Sequence, residues 1–215
     1  MHRRINADPM QKTRTEAFTD GVFAIAITLL VLEIRLPDLR VAPGADADSA
    51  MRAFLTTLGV PLAAYALSFA TVGVIWLNHH ATFATIRHVD RTGNMLNLLL
   101  LAIVCFIPYP TALLARYGAL PSSTAFYGAT FLAMSIAYGI NWQYAVRAQH
   151  AVDPSFPLVT LRQSLPGLIG TVFYAAGTLL AFVQPVAAVC VFVAVAVYYM
   201  VPGLFGRRMA LAARE

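Results

Sequence analysis

Few side chains in this sequence can carry chemistry. Asp20 opens an uncharged run, Gly21 to Leu32, in which Thr28 is the one hydroxyl. Trp76, His79 and His80 close a second such run, and His88 follows in a short charged segment. A carboxylate inside an apolar helix can relay a proton or meet a cation, and at a first turn it can instead cap free amides. Both readings of Asp20 stand on the sequence. Trp76 and the two imidazoles could hydrogen-bond to the Asp20 region, or lie at an interface as an aromatic anchor with titrating surface histidines. Adjacent His79 and His80 cannot easily converge on one point of a helix, and no further His or Cys supports them, so no metal is expected. Cys105 and Cys190 stand in apolar runs without CxxC spacing and read as small buried hydrophobes. With no nucleophile beside a placed base and no nucleotide or cofactor signature, an enzyme is not expected.

The elements that must position these groups follow from composition. Of 215 residues, 59% are hydrophobic and 12% charged. A soluble domain carries about 25% charged residues, so an ordinary soluble enzyme and a disordered chain are both excluded. The net charge of +5 does not point to nucleic acid, because the basic residues sit in short segments between long uncharged runs. Those runs are 34 residues between Arg52 and Arg87, 24 between Arg91 and Arg116, 30 between Arg116 and Arg147, and 44 between Arg162 and Arg207. A spanning helix needs about 20 apolar residues. The last run is too long for one span and divides at Gln184-Pro185, giving a hairpin. The first stretch, taken from Phe18 to Leu36, is long enough to be a sixth span. The expectation is an all-α polytopic membrane protein of six transmembrane helices, one domain over residues 1–215, with residues 37–49 as its longest loop. With the N-terminus inside, eleven basic residues face the cytosol and four face out, so both termini are expected to be cytosolic.

At about 100° per residue, Gly21, Ile25, Thr28, Leu29 and Leu32 share one face of the first helix, while Phe23, Ile27, Leu30 and Ile34 fall opposite. Such a stripe serves ordinary helix packing, with Thr28 bonded back to the Ala24 carbonyl. Repeated around an axis it would form rings: an apolar neck at Ile25, Leu29 and Leu32 able to gate by dewetting, with Thr28 the layer able to ligate a partly dehydrated cation. Thr71-Val72-Gly73 lies within a helix and lacks the Tyr-Gly that completes a potassium-filter loop.

The segment Arg14-Thr-Glu-Ala-Phe18-Thr19-Asp20 resembles the signature of the transmembrane protein 175 family of potassium channels, an Arg followed four residues on by Phe-Ser-Asp. Thr19 stands where Ser is usual and keeps the hydroxyl. Trp76-x-x-His79-His80, the run from Asn97, and Ile107-Pro108-Tyr109-Pro110-Thr111 resemble further family blocks, so the likeness covers about residues 12–115. The resemblance implies a single-repeat prokaryotic member, assembled as a homotetramer in a multi-pass bacterial inner membrane, with potassium as the permeant ion and no cofactor. It implies a pore lined by the first helix (about residues 18–36), a constriction at Ile25, Leu29 and Leu32, and a selectivity layer at Thr28. Arg14, Phe18, Thr19, Asp20, Trp76 and His79 would hold that helix. The expected activity is passive, potassium-preferring conduction; the alternative is a proton-coupled transporter or proton leak through Asp20 and His79. Expected partners are the chain itself and the lipid bilayer.

Overall fold

The computed structural model describes residues 9–36, 46–118, 120–158 and 161–200, leaving the side chains of 9–11 and 161–166 outside that description. Arg3, Arg4, Arg40, Arg207, Arg208 and Arg214, which bear on the expected orientation, lie outside the described residues. The elements are helical: α1 (Pro9–Leu32), α2 (Ala47–Thr57), α3 (Gly59–Thr85), α4 (Arg91–Phe106), α5 (Pro108–Tyr117), α6 (Pro121–Val152), α7 (Leu161–Leu180) and α8 (Pro185–Met200). Lys12–Leu32, Gly59–Thr85 and Arg91–Tyr117 are long and apolar enough to cross a bilayer. Gly167–Leu180 and Pro185–Met200 are shorter apolar helices.

Two boundaries differ from the sequence reading, and a third falls at prolines that predict a kink or break. The first helix begins at Pro9 rather than Phe18 and stops at Leu32, four residues short of Leu36. Its polar first turns persist because their side chains are used: Lys12 donates to the Ile86 carbonyl at 2.8 Å, and Thr15 to Asn94 Oδ1 at 2.8 Å. Its last turn tightens, with Glu33 and Ile34 amides reaching the Leu30 and Val31 carbonyls. Next, part of the supposed loop and the residues after it form α2. Asp46 caps it through the Asp48 and Ser49 amides at 3.1 Å each. α2 has no buried residue. It parts from α3 at Leu58, where Gly59 lowers helix propensity and Pro61 can give no amide to Thr57. The third apolar run is two helices in line, with the break that Pro108 and Pro110 predict. Ile107 keeps helical angles while its amide turns to Val104 at 3.2 Å, because Pro108 and Pro110 remove two amides from the ladder.

α1 packs on α3 and α4, and α6 packs on α4, α5, α7 and α8. The division at Gln184-Pro185 falls where the sequence placed it, with residues 181–184 as the turn. Phe192 of α8 fills the junction with α6 and α7. A Cβ on Gly128 or on Gly177 would stand 2.5 Å from its ring, so neither position admits a side chain without displacing it. Tyr127 and Tyr174 flank the same ring at 5.7 and 5.8 Å. At the end of α3 the chain is tied to α6 by Gln149, which accepts from the Arg87 amide at 2.9 Å and donates to the His88 carbonyl at 2.8 Å. Beyond α6, the hydroxyl and amide of Ser155, and then Arg87 at 2.9 Å, hold Asp153 below the usual carboxylate range.

Candidate functional site: the two faces of the first helix

α1 presents opposite characters on its two sides. Phe23 and Leu30 are each 1% exposed and Ala26 is 2% exposed, all packed into the core between α3 and α4. Ile25, Leu29 and Leu32 are 60%, 41% and 69% exposed, and Gly21 and Thr28 join them on the open side. This is the division that the helical period gives, since residues spaced by three, four and seven share one face. Thr28 donates its hydroxyl proton to the Ile25 carbonyl at 2.8 Å, one residue nearer than the Ala24 carbonyl expected from sequence. That bond uses the donor and leaves the oxygen lone pairs on the open side.

The directional bonds described for the buried side lie toward one end, between Lys12 and Asp20. Trp76 Nε1 donates to Asp20 Oδ1 at 2.8 Å. Asp20 is the twelfth residue of α1 and therefore not in a first turn, so the capping reading is overturned; its carboxylate serves a neighbouring helix instead. Next to it, Asn97 joins two groups. Its Nδ2 donates to Thr19 Oγ1 at 2.8 Å, and its Oδ1 lies 2.9 Å from His79 Nε2. With the amide so placed, Oδ1 can only accept, and Nε2 carries the proton. Thr19, His79 and Asn97 are all buried. The His79 ring stacks on Phe83 at 4.4 Å and meets Phe23 at 6.0 Å. The carboxylates of Asp20 and Glu16 lie close enough for their charges to act on it. Glu16 also faces His80, 3.7 Å away.

Of the residues singled out by sequence, Thr19, Asp20, Trp76 and His79 come together behind α1, and Ile25, Thr28, Leu29 and Leu32 come together on its open side. Arg14 and Phe18 join the open side and are exposed, in line with Ile25 rather than with the buried cluster. Asn97 is the connecting residue that the sequence reading left unassigned. Its signal was present: an amide set in an apolar stretch, Leu96 to Leu101, needs partners, because an unsatisfied buried polar group is costly. Cys105 and Cys190, expected buried, are exposed on α4 and α8. In an apolar helix the outward face is apolar too, so hydrophobicity alone does not mark the inside. Among the described residues no three of His, Cys, Asp and Glu converge to hold a metal ion.

Comparison with known proteins identifies the family. Residues 14–108 match the family model described as the endosomal/lysosomal potassium channel TMEM175. A potassium channel of Streptomyces collinus is 36% identical over 191 residues, covering 86% of this chain and 90% of its own. The human endosomal/lysosomal proton channel TMEM175 is 41% identical over 104 residues, which is 47% of this chain and 20% of that protein. The crystal structure of a lysosomal potassium-selective channel TMEM175 homolog from Chamaesiphon minutus superposes with a TM-score of 0.75 at 34% identity, covering 88% of this chain and 96% of that one. These relatives are channels, not enzymes, and the match runs through α1, α3 and α4, the helices that build the two-faced site. The chain is a membrane protein with a TMEM175 channel fold and belongs to the prokaryotic TMEM175 family.

Proposed function

We propose that this chain forms a passive, potassium-preferring cation pore around the α1 helices of four identical copies. The observation that carries the reading is the open face of α1. Ile25, Leu29 and Leu32 form a continuous apolar stripe, broken by one hydroxyl, on a helix whose other side is locked into its own subunit. A stripe of this kind at the centre of a symmetric assembly becomes a set of rings. Those at Ile25, Leu29 and Leu32 exclude water until they widen, and the Thr28 ring offers oxygen to a cation that has shed part of its shell. One hydroxyl layer compensates dehydration weakly, so the preference for potassium over sodium is modest.

In this reading six helices cross the bacterial inner membrane: α1, α3, the α4–α5 pair, α6, α7 and α8. Both termini are cytosolic. No cofactor takes part and potassium is the permeant ion. Thr19, Asp20, Trp76 and His79 hold the pore helix from behind, and Arg14 and Phe18 act where copies approach one another. Potassium and sodium flux from liposomes containing the purified protein tests it. Passive flux with potassium ahead supports the pore, and flux that requires a proton gradient overturns it.

A proton pathway through Asp20 and His79 is the second reading. It is favoured by the nearness of the Asp20 and Glu16 carboxylates to the His79 ring and by the proton-channel names of the animal relatives. Steep pH dependence of the flux, abolished by Asp20→Asn, would move the assignment to it.

A further inference from the structure

A groove of about 430 Å³ runs between α4 and α6, on the side of the subunit where Phe106 and Phe126 are exposed. Its floor is made by small residues, Ala102, Ala129 and Ala133, and its walls by Phe106 and Phe126, whose ring centres are 6.0 Å apart in an edge-on contact. Thr130 also lines it, but its hydroxyl donates to the Phe126 carbonyl at 2.9 Å, so the donor is spent on its own helix. At one end Tyr109 closes an aromatic group with Phe106 and Phe126, at 5.5 and 6.2 Å. Two helical turns beyond Tyr109, on the same face of α5, stands the exposed Arg116. Its guanidinium lies 5.3 Å from the centre of the Tyr117 ring, and no carboxylate among the described residues pairs with it.

We propose that this groove binds one acyl chain of a phospholipid whose phosphate is held at Arg116. The dimensions and the charge both select that occupant. From Ala102 to Arg116 along the α4–α5 pair is about 21 Å at 1.5 Å per residue. Half of a bilayer's hydrocarbon core is about 15 Å. The groove itself is lined from Ala102 to Phe106 and from Phe126 to Ala133, so a lipid chain running from Arg116 past Tyr109 toward the midplane would lay its far part in it. Arg116, without a carboxylate partner among the described residues, stands where the phosphate of that lipid would lie, and Tyr109 lies on the path between it and the groove. A polar peptide would find no backbone partner along an alanine floor. The proposal rests on membrane embedding and not on the pore.

The test uses the full chain, reconstituted in phosphatidylglycerol vesicles, extracted in mild detergent and weighed intact as the assembled protein. The expected result is a retained phospholipid on each chain. Ala129→Phe, which fills the floor, removes it, and Arg116→Gln, at an exposed position, lowers its retention about fivefold. Equal lipid retention in the parent and both variants overturns the proposal, as does a parent protein that retains none. Dissociation of the assembly by Ala129→Phe would assign the groove to a neighbouring copy instead. If Ala129→Phe does not fold, Arg116→Gln alone decides, with unchanged retention as the refuting result. None of these readings involves ion flux, so they stand apart from the outcome of the channel assay.

Discussion

Trp76 Nε1 and Asp20 Oδ1 meet at 2.8 Å, joining the middle of α3 to the middle of α1 through a charge-assisted bond. Such bonds contribute about 1.5–3 kcal/mol. Trp76→Phe keeps an aromatic ring but removes the donor. It is expected to destabilise the folded protein by about that amount, read as a lower denaturation midpoint in detergent. An unchanged midpoint would mean that water replaces the indole without loss.

Asn97 satisfies two buried groups at once, so its removal orphans both Thr19 and His79. Asn97→Leu keeps roughly the same volume and is expected to cost about 1–3 kcal/mol for each group left without a partner. Thermal denaturation of the variant beside His79→Leu and the double variant measures this. The double variant should lose less than the sum of the two singles, since removing both members of a hydrogen-bonded pair spares an unpaired partner.

At the open face the expected changes are in flux and not in stability. Ile25→Asn should wet the neck and raise potassium flux from liposomes; unchanged flux would remove Ile25 from the constriction. Thr28→Ala should weaken the preference for potassium, whereas Thr28→Ser should largely keep it. Equal loss in both would make Thr28 a packing residue.

Gly177→Ala should destabilise the α6–α7–α8 junction by about 1–3 kcal/mol, because a methyl group there collides with Phe192, which is itself enclosed. A compensating Phe192→Leu would restore part of the loss if that contact is its cause. Chemical denaturation of the single and double variants distinguishes the two cases.

The tie between the α3 end and Asp153 should depend on pH. Asp153 is held below the usual carboxylate range in the folded state, first by Ser155 and then by Arg87. A depressed carboxylate contributes stability above its unfolded pKa, and that contribution disappears as pH falls through its folded value. Stability should therefore decline below the ordinary carboxylate range, and Asp153→Asn should flatten that decline.

The two faces of α1 were legible because a 3.6-residue period sorts Phe23, Ala26 and Leu30 from Ile25, Thr28 and Leu32 without reference to any other helix. The meeting of Trp76 with Asp20 was open to inference, since both flank apolar runs that must return to the same level. The extent of α1 was not legible. Residues 12–16 look like a solvated lead-in, and they become helix because Lys12 and Thr15 find partners on segments more than 70 positions away. The role of Asn97 was hidden for the same reason: its two partners come from helices that only the fold brings together. Cys105 and Cys190 show the converse, for an apolar run reads the same whether it faces protein or lipid.

The cross-helix hydrogen bonds of α1 described above all originate between Lys12 and Asp20, while the buried side chains Phe23, Ala26 and Leu30 pack without hydrogen bonds of their own. Directional bonds fix an orientation, whereas apolar packing is non-directional. The helix is thus held by directional bonds toward its Asp20 end and by packing toward Leu32. If the proposed pore opens by a tilt about the Asp20 end, Leu32 moves farthest and Ile25 least, so the leucine rings would widen before the isoleucine ring.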